Sequence, residues 1–197
     1  MFGARRANDV FLNVPFDDDY EKLFVAMIAG LVGLGLNPRC VLEIPQPQFR
    51  LERLRELILA CGSSVHDLSR VQLDRKNPRT PRFNMPFELG LTVGVAFHAR
   101  GHRWLVFEER SFRIQKSLSD LNGIDPYIHN GSAVSLLECL RQAFVRTDGQ
   151  QPSLADLRKL HFDLQTYLEL LRAQGEAPSV FTATAFRELV LAATELR

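Results

Sequence analysis

Apolar residues recur along this chain in two periods, and the order in which the periods alternate predicts its elements. Val10-Phe11-Leu12-Asn13-Val14 reads as a short apolar strand stopped by Pro15. Asp17, Asp18 and Asp19 then supply a cap and first-turn acids for a helix from Tyr20 to Leu34, ended by Gly35. Cys40 to Ile44 reads as a second strand, broken by Pro45 and Pro47. From Arg50 to Ala60 the period changes to that of a helix. Leu51, Leu54, Leu57 and Ile58 fall on one side, the charges lie largely on the other, and Gly62 closes the element. Ser64 to Leu68 is a third strand, thin in apolar content. A polar loop from Arg70 to Arg82 leads to a helix over Met85–Ala99, stopped near Gly101. Trp104 to Phe107 is a buried strand. Phe112 to Leu121 is a short helix capped by Ser111, Ile124 to Ile128 a weak fifth strand, and Ser132 to Phe144 a helix.

Strands alternating with helices argue for a parallel sheet covered on both faces, hence the α/β class. Right-handed crossovers make the flavodoxin-like, doubly wound order 2-1-3-4-5 the expected arrangement of the five strands. The composition changes after Thr147. Asp148 to Ser153 reads as a linker, and two helices follow, Leu154–Ala173 and Thr182–Glu195, separated by Gly175 to Pro178. The layout is therefore an α/β domain over 8–147 and a C-terminal helical hairpin over 148–197. The hairpin's apolar faces, Leu164, Leu168 and Leu171 with Phe186, Leu189 and Leu191, exceed what a short sheet domain is expected to bury. The hairpin lies on the sheet domain or on a second copy, and the part of its faces that the sheet domain leaves over predicts a homo-oligomer.

Bulk composition narrows the function classes. The chain has 197 residues, 46% apolar and 24% charged, as a globular protein has. A net charge of +1 supplies no global field toward nucleic acid or a membrane surface. The uncharged run from Leu23 to Leu36 is shorter than the ~20 residues of a membrane span and reads as a core helix. The three cysteines, Cys40, Cys61 and Cys139, are far apart in apolar segments. They read as reduced, buried thiols in a cytoplasmic protein. The histidines show no ligand spacing, so neither a metal nor another cofactor is expected.

Ligands of doubly wound sheets bind beyond the carboxyl ends of the strands, where the strand order reverses. Between the first and third strands that places Asn13, Pro15, Phe16 and Asp17 beside His66, Asp67, Ser69 and Arg70, with Arg82, Asn84 and Glu88 arriving from the following helix. Asn84 is the expected helix cap, and Pro86 suits the opening turn. Glu88 is then a first-turn carboxylate aimed at a cleft. Each of these residues also has a plain structural use: Asp67 as a turn cap, His66 as a packed side chain, Phe16 as core. The loop from Arg70 to Arg82 carries Arg70, Arg75, Lys76, Arg79 and Arg82 against Asp74, a solvated excess or a phosphate-facing lid.

The blocks Phe11-Leu12-Asn13-Val14-Pro15-Phe16-Asp17, Val65-His66-Asp67-Leu68-Ser69-Arg70, Arg82 to Gly90 and Gln115 to Asp120 resemble an uncharacterised bacterial family with a nucleoside 2-deoxyribosyltransferase-like or TIR-like fold. The likeness spans roughly residues 8–145. The run Met85-Pro86-Phe87-Glu88-Leu89-Gly90-Leu91 is similar to the deoxyribosyltransferase helix start that carries the nucleophilic Glu. The resemblance implies an N-glycosidase or deoxyribosyltransferase that cleaves the base–sugar bond of a nucleoside, nucleotide or NAD-like substrate. Glu88 would be nucleophile or oxocarbenium-stabilising carboxylate, and Asp67 would lie near the sugar or base. Asp67 or His66 would assist the leaving base, Asn13 a hydroxyl, Phe16 a base face, and Arg70 and Arg82 a phosphate. A nucleotide-sensing, TIR-like signalling module without turnover, in bacterial defence, is the alternative it implies.

Overall fold

The computed structural model describes residues 6–43, 50–71, 82–98, 101–175 and 179–197. Five strands, β1 (Arg6–Asn13), β2 (Asn37–Cys40), β3 (Cys61–Asp67), β4 (Arg103–Glu108) and β5 (Tyr127–Ile128), form one sheet in the order β2-β1-β3-β4-β5. All four pairings are parallel, and the order is the expected one. Helices α1 (Glu21–Gly33) and α5 (Ala133–Ala143) cover one face of this Rossmann-like sheet. Helices α2 (Arg50–Ala60) and α3 (Asn84–His98) cover the other. The short α4 (Arg113–Ser117) follows β4, and α6 (Leu154–Ala173) and α7 (Ala183–Leu196) follow α5.

Period 2 decides which strand residues meet which layer. In β1, Val10 and Leu12 join the α1–α5 cluster, whereas Phe11 packs with Val41, Leu54, Leu57, Ile58, Cys61 and Val95 on the other side. Every residue of α1 from Leu23 to Val32 is buried. The sheet covers one side of the helix, and α5, α6 and α7 cover the rest. Two glycines let these helices come close. A Cβ on Gly30 would stand 2.5 Å from Leu140 Cδ1, and one on Gly33 would stand 2.5 Å from Leu157 Cδ2. The C-terminal pair is thus a third layer that shares the α1 core. Of the faces expected to meet the sheet domain or a second copy, Leu164, Leu168, Leu171, Phe186 and Leu189 are buried within the chain, and only Leu191 stays exposed.

Four boundaries differ from expectation, each for a local reason. The second strand runs over Asn37–Cys40 instead of starting at Cys40. As an edge strand it tolerates Pro38, which lacks the N–H of a central ladder. Glu43 then accepts from the Cys40 N–H (2.9 Å) and from Arg39 Nε (2.8 Å), curling Val41–Glu43 into a 3-10 turn. Gly62 does not close α2 but lies inside β3, where any Cβ would stand 2.2 Å from the Ala7 carbonyl oxygen. The fifth strand shrinks to Tyr127–Ile128, and α4 is preceded by Phe112 in a left-handed conformation (φ 63°) rather than capped by Ser111. The expected stops at Pro45 and Pro47, the basic run through Arg75, Lys76 and Arg79, and the break at 176–178 lie outside the described residues.

Among the described residues no helix is long and apolar enough to cross a membrane. All three cysteines are buried free thiols. Replacing Gly30 by Val puts a branched side chain where Leu137 and Leu140 already sit, an overpacking expected to cost about 1–3 kcal/mol. Urea unfolding read against wild type measures it.

Candidate functional site

A cavity of about 400 Å³ opens beyond the carboxyl end of β1, on the side of α2 and α3. Leu12, Asn13, Val14, Phe16, Val41, Arg50, Arg82, Phe83, Asn84, Met85 and Glu88 line it. Asn13, Phe16, Arg82, Asn84 and Glu88 were expected together, and the structure brings them together. Glu88 is the only carboxyl group among these described lining residues. Burial pushes its pKa up to about 7, and the Arg50 guanidinium pulls it part of the way back.

Helix α3 begins at the expected cap itself, one residue earlier than Met85. The Phe83 carbonyl accepts from the Phe87 N–H (2.9 Å), so Asn84 is the first helical residue and Pro86 the third. There the Asn84 N–H needs no intrahelical partner, and Pro86, which has no N–H, forfeits none. One turn later the helix brings Glu88 to the cavity. Thr92 Oγ1 donates to the Glu88 carbonyl (2.9 Å).

Asn13 has its orientation dictated from behind. Its Nδ2 donates to the Met85 carbonyl (2.8 Å) and to His66 Nδ1 (2.9 Å). A carbonyl only accepts, so the amide nitrogen must face it, and both amide hydrogens are committed. His66 therefore carries its proton on Nε2 and donates to Ser64 Oγ (3.0 Å). The Ser64 hydroxyl donates to His102 Nε2 (3.2 Å), and His102 Nδ1 donates to the Cys61 carbonyl (3.2 Å). A backbone carbonyl ends the chain on each side, so every direction in it is set. What Asn13 keeps for the cavity is Oδ1, an acceptor. His66 is fully buried behind Asn13, and burial, helped by His102, drives its pKa down to about 3. It is a support and not the expected acid.

Asp67 departs furthest from its expected place. Adjacent strand residues point to opposite faces, so with His66 turned toward α3, Asp67 points toward α1. There it is fully buried and accepts from the Tyr20 hydroxyl (2.5 Å), the Ser69 N–H (2.9 Å) and the Ser69 hydroxyl (2.5 Å). His129 Nε2 stands 3.1 Å away. His129 Nδ1 accepts the Gly131 N–H (3.1 Å), so the ring proton sits on Nε2, toward Asp67 and Ser69. Burial by itself would raise the Asp67 pKa, but these donors hold it below the ordinary value of 3.8. Ser69, His129 and Asp67 do not form a nucleophilic triad, because serine and aspartate share one ring nitrogen and all three are sealed from solvent.

Of the remaining expected residues, Pro15, Asp17, Ser69 and Arg70 are not among those that line the cavity. Pro15 ends β1 and is buried. Asp17 accepts from the Tyr20 N–H (3.1 Å), pairs with Arg82 (2.5 Å) and lies 3.7 Å from Arg70, which also reaches Asp19 (3.6 Å). Phe16 lines the cavity, but its ring meets Phe24 at 6.0 Å and Phe181 at 5.6 Å, so it is a wall tied to the core and to the α6–α7 connection. Sequence reasoning missed Arg50, Tyr20 and His129. Arg50 carried a usable signal, since a helix following an edge strand must start at the same carboxyl end as the other ligand-facing loops. Among the described residues no group of three or more His, Cys, Asp or Glu could hold a metal ion.

No family model matches this chain, and no curated protein matches it.

The two acids make opposite contributions as pH changes. Asp67, with its folded pKa depressed, adds stability that is present above 3.8 and is lost as pH falls through the lower folded value. Asp67→Asn is expected to lose about 3 kcal/mol at pH 7 and to flatten the acid limb of the melting curve. Glu88, with its folded pKa raised, costs stability as pH rises from the ordinary 4.5 to about 7. Glu88→Gln is therefore expected to melt higher than wild type at pH 8 and level with it at pH 4, by calorimetry at both.

Proposed function

We propose that this cleft binds a nucleoside, nucleotide or NAD-like molecule and cleaves its base–sugar bond. Glu88 serves as nucleophile or as the carboxylate that stabilises the cationic sugar. The observation that carries the reading is the convergence of Glu88 and Asn13 on one cavity beyond the carboxyl end of β1. Glu88 supplies a carboxylate for an oxocarbenium-like carbon. Asn13 offers its oxygen to a donor, as a sugar hydroxyl is. Arg50 and Arg82 supply cations for a phosphate, Arg82 on exchanging Asp17 for it. Phe16 and Phe83 offer ring surface to a base.

Asp67's position narrows the substrate. With Asp67 on the other face and His66 locked as a support, no second acid lines the cleft among the described residues. A base that leaves with a proton would have to draw it from solvent. A base carried as a cationic N-glycoside, as in NAD, needs no proton. The electron pair of the breaking C–N bond neutralises the ring nitrogen, and the sugar carbon passes to Glu88 or directly to water, whose proton goes to solvent. The reading therefore favours cationic N-glycosides over neutral nucleosides. A nucleotide sensor without turnover is the second reading, and the same lack of an acid in the cleft favours it.

The test is release of free base, followed by chromatography, with NAD, ribonucleosides and deoxynucleosides beside the Glu88→Gln protein. The expected result is release from NAD by wild type only. Because the reactive form of Glu88 is ionised, kcat/KM is expected to rise about tenfold per pH unit below about 7 and to level above it. Saturable binding of NAD without release, the same for both proteins, would establish the sensor instead.

A further inference from the structure

Helix α3 is apolar on both sides although only one side is covered. Its buried side, Met85, Leu89, Thr92 and Val95, meets the sheet. On the opposite side lie Phe83, just ahead of the helix, then Phe87, Gly90, Gly94 and Phe97. Their spacing of four, three, four and three residues keeps them within an arc of about 80°. Phe83 is 68% exposed, Phe87 57% and Phe97 81%, and among the described residues nothing lies within 4 Å of a Cβ placed on Gly90 or Gly94. In all 15 residues of α3 the sole charged side chain besides His98 is Glu88, which faces the cleft. Surface helices carry a polar outer side, and helices apolar all round are normally enclosed.

We infer that this stripe is the interface of a homodimer, packed antiparallel against the same stripe of a second copy. The pattern is complementary to itself. A two-fold axis at Gly90 sets Phe87 of one copy over the notch at the partner's Gly94, and Phe83 beside the partner's Phe97. The glycines let the backbones approach, and the rings fill the space. At about 200 Å² per phenylalanine, the exposed parts of these three rings offer about 400 Å². That is half of the ~800 Å² that each partner of a stable interface covers, before neighbouring Leu91 and Pro86 are added. A lipid surface fits less well, because α3 itself has no lysine or arginine to meet headgroups. The stripe continues into the cleft through Phe83, which belongs to both, so the second copy would form part of each cleft's outer rim.

Light scattering across micromolar concentrations should give twice the chain mass. Phe87→Glu and Phe97→Glu should halve it while leaving the far-ultraviolet circular-dichroism spectrum unchanged, and Leu170→Glu, on the exposed side of α6, should not halve it. Gly90→Cys places a thiol on the axis where a side chain has room, so mild oxidation should give a disulfide-linked dimer, and Leu170→Cys should give none. A monomeric wild type, a dimer untouched by both glutamates, failure of Gly90→Cys to cross-link, or binding to anionic vesicles in place of dimerisation would each overturn the inference.

Discussion

A single ionised carboxylate, sealed at the end of the central strand, organises the carboxyl edge of this sheet. Asp67 has no solvent contact and so must find its donors inside the protein. It gathers them from three elements: the Tyr20 hydroxyl at the start of α1, Ser69 in the turn after β3, and His129 after β5. Beside it Glu108, equally buried, is paired by Arg113, whose Nη2 also donates to the Ser69 carbonyl (2.7 Å). These polar contacts fix where the loops leave the sheet, which hydrophobic packing alone would leave loosely specified.

The pleat of β3 separates two kinds of polar chemistry that the sequence runs together. His66 and Asp67 are neighbours in the chain, but one supports the cleft and the other holds the opposite face closed. On the cleft side, direction passes from the Cys61 carbonyl through two imidazoles and a serine to Asn13, so a backbone several residues away settles what the cavity is offered. Glu88 stands on that side with a pKa shifted by burial, a cost the fold carries where a ligand would meet it.

Strand order and the helix layers were legible because they follow from periodicity and handedness, which local residues express directly. The convergence of Asn13, Phe16, Arg82, Asn84 and Glu88 was legible for the same reason, since topology puts those loops at one edge. Which way Asp67 points was not. A strand buried on both faces, with Ser63, Ser64, Val65, His66 and Asp67 all enclosed, has no polar alternation to mark its register. The hairpin was found, and of the two places open to it, the sheet domain or a second copy, it takes the first. Leu164 and Phe186 look the same in sequence whether they meet a second copy or α1, and the deciding feature is the all-apolar run of α1 itself, which needs covering on its outer side. The short second strand hid behind Glu43, whose side chain competes for the backbone that Val41 and Leu42 would otherwise extend.

That covering of α1 by the C-terminal helices also governs how the protein is made. The ribosome delivers α6 well after α1, with Gly33 and Leu154 separated by 120 intervening residues. At ~5–20 residues per second this leaves the outward side of α1 waiting on the order of 10 s for its lid, longer still while the chain clears the exit tunnel. The nascent sheet is therefore an incomplete, sticky intermediate that translation must outrun or a chaperone must shield. A stop codon ahead of Leu154 would strip the outward side of α1 of its cover and yield a product that clumps rather than a smaller working protein.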